Sequence, residues 1–124
     1  FFLAEGWRRY ASASIEAVAA FQYEAINRAI LDAREAIPPA QWVEVHYEDF
    51  LRDPVAAFRR VFAQCGLRFD ARLEQHCAQV LETPYNAFSA IRLDKWKDGR
   101  NRERVERALP AVAAIASRMG YEPG

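Results

Sequence analysis

The period of the apolar positions divides the chain into one long helix, one short strand and three further helices. From Ala4 to Ile37 helix breakers are almost absent. Ile15, Val18, Ala19, Gln22, Ile26, Ala29, Ile30, Ala33 and Ile37 follow a helical repeat, with Glu16, Glu24, Arg28, Asp32 and Glu35 mostly on the other side. Ser12 and Ser14 are where this run can divide in two, because a serine hydroxyl competes with the backbone ladder. Pro38 biases Ile37 out of the helical region and stops it. The expected role is packing, holding down the strand that follows.

Trp42 to His46 alternates, with Val43 and Val45 on one face and Trp42, Glu44 and His46 on the other, which predicts a strand over about residues 42–47. After a polar turn, Asp53-Pro54 has the chemistry of a helix start. The carboxylate accepts from free N–H groups of the first turn, and proline at the first helical position has no N–H to leave unpaired. Val55, Phe58, Val61, Phe62 and Cys65 then form one stripe, and Gly66 stops the helix with Leu67 expected to fold back onto Phe62.

Asp70 is placed to cap another helix, with Leu73, Cys77, Val80 and Leu81 on one face, ended by Thr83-Pro84. No period is sustained from Tyr85 to Gly99. A long loop of that kind in a compact domain is where a site is sought. The last helix starts near Asn101 and turns Val105, Leu109, Val112, Ile115, Ala116 and Met119 inward. Pro110 either kinks or splits it, and Gly120 with Tyr121 supplies the stop.

Composition adds boundaries rather than chemistry. The 124 residues are 52% hydrophobic and 27% charged with zero formal net charge, which fits one globular domain over 1–124 and argues against general nucleic-acid binding. Cys65 and Cys77 both fall on apolar helical positions and read as small buried hydrophobes; no metal spacing surrounds them, and His46 and His76 are scattered. No signal peptide or membrane-crossing run is visible, so the expected compartment is cytoplasmic with no membrane partner. The chain begins at Phe1, which reads as a processed or excised piece.

Taken together, Tyr47-Glu48-Asp49-Phe50, Asp53-Pro54 and the helix closing on Cys65-Gly66-Leu67 resemble the corresponding segment of the PAPS-dependent sulfotransferases. Lys95-Trp96-Lys97 and Gly120-Tyr121 are similar to that family's closing elements, so the likeness covers roughly the last two-thirds of the chain. The resemblance implies an α/β, P-loop-like fold: a parallel sheet flanked by helices, of which this chain is a mostly helical C-terminal part with one strand. It also implies 3′-phosphoadenosine 5′-phosphosulfate (PAPS) as sulfuryl donor and a hydroxyl or amine acceptor.

By motif position Tyr47 lies against the adenine side of the donor, which suits an aromatic with a polar tip. Arg92 and Lys95 correspond to the loop that holds the 3′ phosphate, although the glycine of that loop is missing and its basic residues are displaced. Trp96 and Thr83 are weaker candidates, Trp96 reading as an anchor for the loop. Glu48 and Asp49 read as turn and cap residues and His46 as structural. The 5′ phosphosulfate requires backbone N–H groups of a glycine-rich loop at a helix start, and none of Gly6, Gly66, Gly99, Gly120 and Gly124 is followed by the required lysine and hydroxyl.

The residues therefore leave two readings. In one the chain is the C-terminal part of a sulfotransferase, inactive alone, with no assignable catalytic residue and with the missing N-terminal half or a homo-oligomer as partner. In the other it is a non-catalytic helical interaction module derived from a sulfotransferase core.

Overall fold

The computed structural model describes residues 3–82 and 89–121, which form five α-helices joined by short 3₁₀ turns and extended segments. The helices group into two units. One comprises residues 1–37 and 96–124, the other residues 38–95.

In the first unit, a 3₁₀ turn at Trp7–Tyr10 precedes helix α1, Ile15–Ala36, which packs against helix α5, Arg102–Arg118. The division expected at Ser12–Ser14 is present. Ser14 is the N-cap, its hydroxyl accepting from the Ala17 N–H at 3.3 Å, and Ile37 leaves the helix in an extended conformation before Pro38. Tyr10 stacks on Phe21 with ring centroids 4.3 Å apart, which ties the turn to α1. At one end of the pair Glu16 meets Arg104, and at the other Glu35 lies 3.8 Å from Arg118. Both contacts join like ends, so α1 and α5 run parallel. Parallel neighbours cannot be joined by a tight turn, and the second unit occupies the connection in sequence.

The inward face of α1 differs from the one its period suggested. Leu31, absent from the expected stripe, is fully buried, while Ile15 is 71% exposed, and Ile26 and Ile30 are also exposed. Alanines dilute the α1 pattern so far that two overlapping stripes satisfy one period. Packing against α5 selects the stripe through Leu31. On α5 the expectation is nearer the outcome: Ile115 is buried, Val105, Val112, Ala116 and Met119 are half-buried, and Leu109 is exposed. The helix runs through Pro110 without dividing. Gly120 at φ +84° closes it, with Gly120 N–H on Ser117 O and Tyr121 N–H on Ala116 O.

In the second unit helices α2, Tyr47–Arg52, α3, Pro54–Gln64, and α4, Ala71–Gln79, follow one another, α3 packing on both α2 and α4. The Asp53 carboxylate accepts from Ala56 N–H at 2.9 Å, and the Asp70 carboxylate accepts from Arg72 and Leu73 at 3.1 and 3.0 Å. Phe50 packs on Phe58 at 4.7 Å, Ala57 and Cys77 are buried, and Arg59 reaches Glu74 at 2.9 Å. Gly66, at φ +67°, completes a Schellman stop: its N–H bonds Ala63 O and the Leu67 N–H bonds Phe62 O. The apolar partner of that stop is Phe69, edge-on to Phe62 at 5.4 Å, whereas Leu67 is 59% exposed.

Two further expectations are corrected. Cys65 is exposed, because it is the C-cap residue where the chain turns off the helical repeat; Cys77 is buried, and burial pushes its thiol pKa up. The predicted strand is extended at Trp42 and His46 but has no ladder partner among the described residues, and Tyr47 already belongs to α2. A strand exists only by pairing, so alternation alone cannot make one.

Gly66→Ala is expected to lower stability by about 1 kcal/mol in denaturant titration. No atom lies within 4 Å of the added Cβ, so the cost is that of the left-handed backbone. Glu16 is held below its ordinary pKa chiefly by a backbone hydrogen bond, which outweighs the opposing effect of burial, with Ser14 and Arg104 adding smaller lowering effects. Its contribution is therefore present above the usual carboxylate range and lost as pH falls through the depressed value. Melting temperatures of the parent and Glu16→Gln should differ near neutral pH and converge in acid.

Candidate functional site

Residues 42–46 make polar contacts among themselves and with α3. The side chains of Trp42, Glu44 and His46 share one face as alternation requires: Trp42 Nε1 donates to Glu44 at 3.4 Å, and His46 Nε2 lies 3.9 Å from the same carboxylate. Helix α3 holds this segment through side chains one turn apart. Gln64 Nε2 donates to Trp42 O at 2.6 Å, and Arg60 Nη1 makes a long contact to Glu44 O at 3.4 Å. The other Arg60 nitrogen lies 3.4 Å from Asp49, which Arg52 also approaches at 3.4 Å. Arg60 thus spans the bend at His46-Tyr47, touching the chain before it and the helix after it.

Tyr47 stands at the first position of α2, 60% exposed, with no hydrogen-bond or ring partner among the described residues. Glu48 and Asp49 lie in the first turn of that helix, where carboxylates are favoured by its free N–H groups. The expectation of turn and cap residues is close, except that the turn is helical and Asp49 also accepts from Arg60.

The loop candidates have contacts of their own. Lys95 donates to Ser89 Oγ, Arg92 is exposed, and Trp96 is 37% exposed with Lys97 Nζ 5.7 Å from its ring centre. Trp96 is therefore not the buried anchor that was expected. Asp94 adopts a left-handed φ of +54°, so the loop keeps a backbone turn of the kind glycine favours although its glycine is missing. Thr83 lies outside the described residues. Tyr47, Arg92 and Lys95 fall in one unit and Trp96 in the other.

Among the described residues no group of three His, Cys, Asp or Glu could hold a metal, and no helix is long and apolar enough to cross a membrane. A shallow depression of about 530 Å³ is lined by Glu5 to Arg9, around a four-residue turn with no buried polar side chain. That region was not singled out in the sequence, and its charges are ordinary solvated ones.

A family model described as the sulfotransferase family matches residues 1–71. The chain belongs to the sulfotransferase family. The matched span includes α1 and ends just past the Asp70 cap. The likeness seen at Lys95-Trp96-Lys97 and Gly120-Tyr121 therefore lies beyond it, while the helix read only as packing lies within it. The omega-hydroxy-beta-dihydromenaquinone-9 sulfotransferases of Mycobacterium bovis and Mycobacterium tuberculosis are each 26% identical over 108 residues. The matches cover 79% of this chain, which spans 28% of the length of those relatives. No solved structure matches the chain.

In this sulfotransferase chain the Arg60 and Gln64 contacts escaped sequence reasoning. Their one visible signal was a pair of long polar side chains four residues apart, off the apolar stripe of α3. Gln64→Ala should release the 42–47 segment at a cost of about 0.5–1 kcal/mol, an exposed bond being worth the lower part of the usual range. Amide exchange over residues 42–47 should quicken while the cores of α3 and α4 keep their protection.

Proposed function

We propose that this chain is the C-terminal part of a catalytic sulfotransferase domain with the P-loop-like α/β fold. The complete domain transfers a sulfuryl group from PAPS to an acceptor hydroxyl. The observation that carries the reading is the family match over residues 1–71, which takes in the extended segment, Tyr47-Glu48-Asp49 and the Asp53-Pro54 helix start. The mycobacterial relatives are named for a hydroxylated menaquinone acceptor, which favours a hydroxyl over an amine.

The residues present do not make a complete donor site. Among the described residues no glycine-rich turn leads from an extended segment into a helix; Gly66 and Gly120 close helices instead, and the His46-Tyr47 bend carries no glycine. The 5′ phosphosulfate is accordingly held outside this chain, and no catalytic residue is assigned within it. What the chain offers is peripheral. Tyr47 presents a free aromatic face to the adenine, and Arg92 and Lys95, on an exposed loop, suit the charge of the 3′ phosphate.

Calorimetry with adenosine 3′,5′-bisphosphate separates this reading from a self-contained site. The 124-residue chain should bind it weakly or not at all and transfer no sulfuryl group; micromolar binding would show the donor site to lie within the chain. In a chimera in which the chain replaces its aligned stretch of the M. tuberculosis relative, the bisphosphate should bind. Tyr47→Ala should then weaken binding roughly tenfold or more, the range of a lost base–aromatic stack, and Tyr47→Phe should change it little. A chimera that folds and binds no bisphosphate would favour a non-catalytic helical module.

A further inference from the structure

Tyr47 owes its place to its backbone. Its ring has no hydrogen-bond or ring partner among the described residues, so it goes where the chain carries it on turning from the extended segment into α2. That turn has little support from within. Helix α2 has only six residues, short for a helix to hold itself, and unlike α3 and α4 it starts without a side-chain cap, since His46 at the N-cap position makes no such bond.

A restraint from outside comes from α3. Arg60 places Nη1 3.4 Å from the Glu44 carbonyl, three residues before Tyr47, and Nη2 3.4 Å from Asp49 Oδ2, two residues after it. One planar guanidinium therefore grips the chain on both sides of Tyr47, a two-point contact that a single ammonium does not reproduce. The helix that carries it is fixed by the Phe50–Phe58 contact, the Asp53 cap and the Gly66 stop. Arg52 reaches the other oxygen of the same carboxylate at 3.4 Å, but from inside α2. It ties that helix to itself and not to the segment before the turn.

We infer that Arg60 is a positioning residue for the sulfuryl donor: it sets the bend from which the Tyr47 ring meets the adenine, and does so without touching the donor. The inference rests on the reading of Tyr47 as part of the donor site, and adds that affinity is transmitted from α3, a helix that carries none of the site candidates. The side chains of Arg60 and Asp49 are 52% and 43% exposed, so water screens the pair and its effect is a few-fold one.

Bisphosphate binding by the M. tuberculosis chimera tests this through a double-mutant cycle. Arg60→Ala should weaken binding about fivefold with Tyr47 present and by less than about twofold in the Tyr47→Ala background, because the bend no longer matters once the ring is gone. Arg60→Lys should restore only part of the loss. Arg52→Ala, which removes the same charge from the same carboxylate, should leave binding within about twofold. An Arg60→Ala loss that persists without the Tyr47 ring would overturn the inference by showing Arg60 to act on the donor directly. So would an equal loss from Arg52→Ala, or no loss from Arg60→Ala at all.

The isolated 124-residue chain supplies a second readout that needs neither the chimera nor a donor. By NMR relaxation, the order parameter of the Tyr47 backbone N–H should fall from about 0.85 toward about 0.6 in Arg60→Ala and hold in Arg52→Ala. An unchanged value in Arg60→Ala would overturn the inference. The two readings fail separately. A folded chimera that binds no bisphosphate sinks the donor-site reading, and Arg60 is then judged as a brace of the bend by the order parameter. A chimera whose binding depends on Tyr47 and not on Arg60 keeps the donor-site reading and sinks the positioning role.

Discussion

The bond from Gln64 to the Trp42 carbonyl is the constraint that lays the extended segment before α2 along α3. It joins positions 22 apart in sequence, and Arg60 adds a long contact from the same helix to the Glu44 carbonyl. Helix α3 thereby serves two ends at once. Its apolar side packs on Phe50 of α2 and against α4, and its polar side carries the long donors that satisfy carbonyls of an extended segment. A hydrogen bond of this kind contributes little net energy, but leaving a carbonyl of a half-buried segment unpaired costs more than making the bond gains. The asymmetry explains why a helix side chain is recruited where a strand would ordinarily pair.

What was legible in the sequence is what is decided locally. Ser14, Asp53 and Asp70 cap helices because each needs only the N–H groups two or three residues on, and Gly66 and Gly120 stop helices because only their own φ is at issue. What was not legible depends on partners distant in the chain. The α1 stripe was misplaced because alanines fit either of two faces until α5 chooses, and Leu31 is buried only by that choice. Phe69 rather than Leu67 meets Phe62 because the chain turns again after Gly66, and no period extends through a turn.

The candidate site divides in the same way. Tyr47 was identified by its place in a family-like run, and the structure adds an exposed ring on a backbone bend bridged by Arg60. The bridging itself is a contact between residues 11 and 16 apart, and its partners are not named by the spacing of Arg60 and Gln64 on α3. Arg92 and Lys95 lie in residues 90–97, beyond the family match, where the likeness is carried by Lys95-Trp96-Lys97 and the loop's one left-handed residue is Asp94.

The parallel course of α1 and α5 bears on how such a chain is assembled. Glu16–Arg104 and Glu35–Arg118 fix the same ends together, so the link from α1 to α5 must travel back along the length of α1, roughly 33 Å for 22 residues. A bare loop of that reach would lose much conformational entropy on ordering. Residues 38–95 fill the connection with three helices, of which α3 and α4 are capped by their own Asp53 and Asp70. The ordering of the link is thereby offset within the link itself, through the α3 packing and the Gly66 stop, and does not fall on the α1–α5 interface. The extended segment lies inside this inserted unit and leads directly into it, since its last residue, His46, is the N-cap position of α2 and accepts from the Asp49 N–H at 3.1 Å.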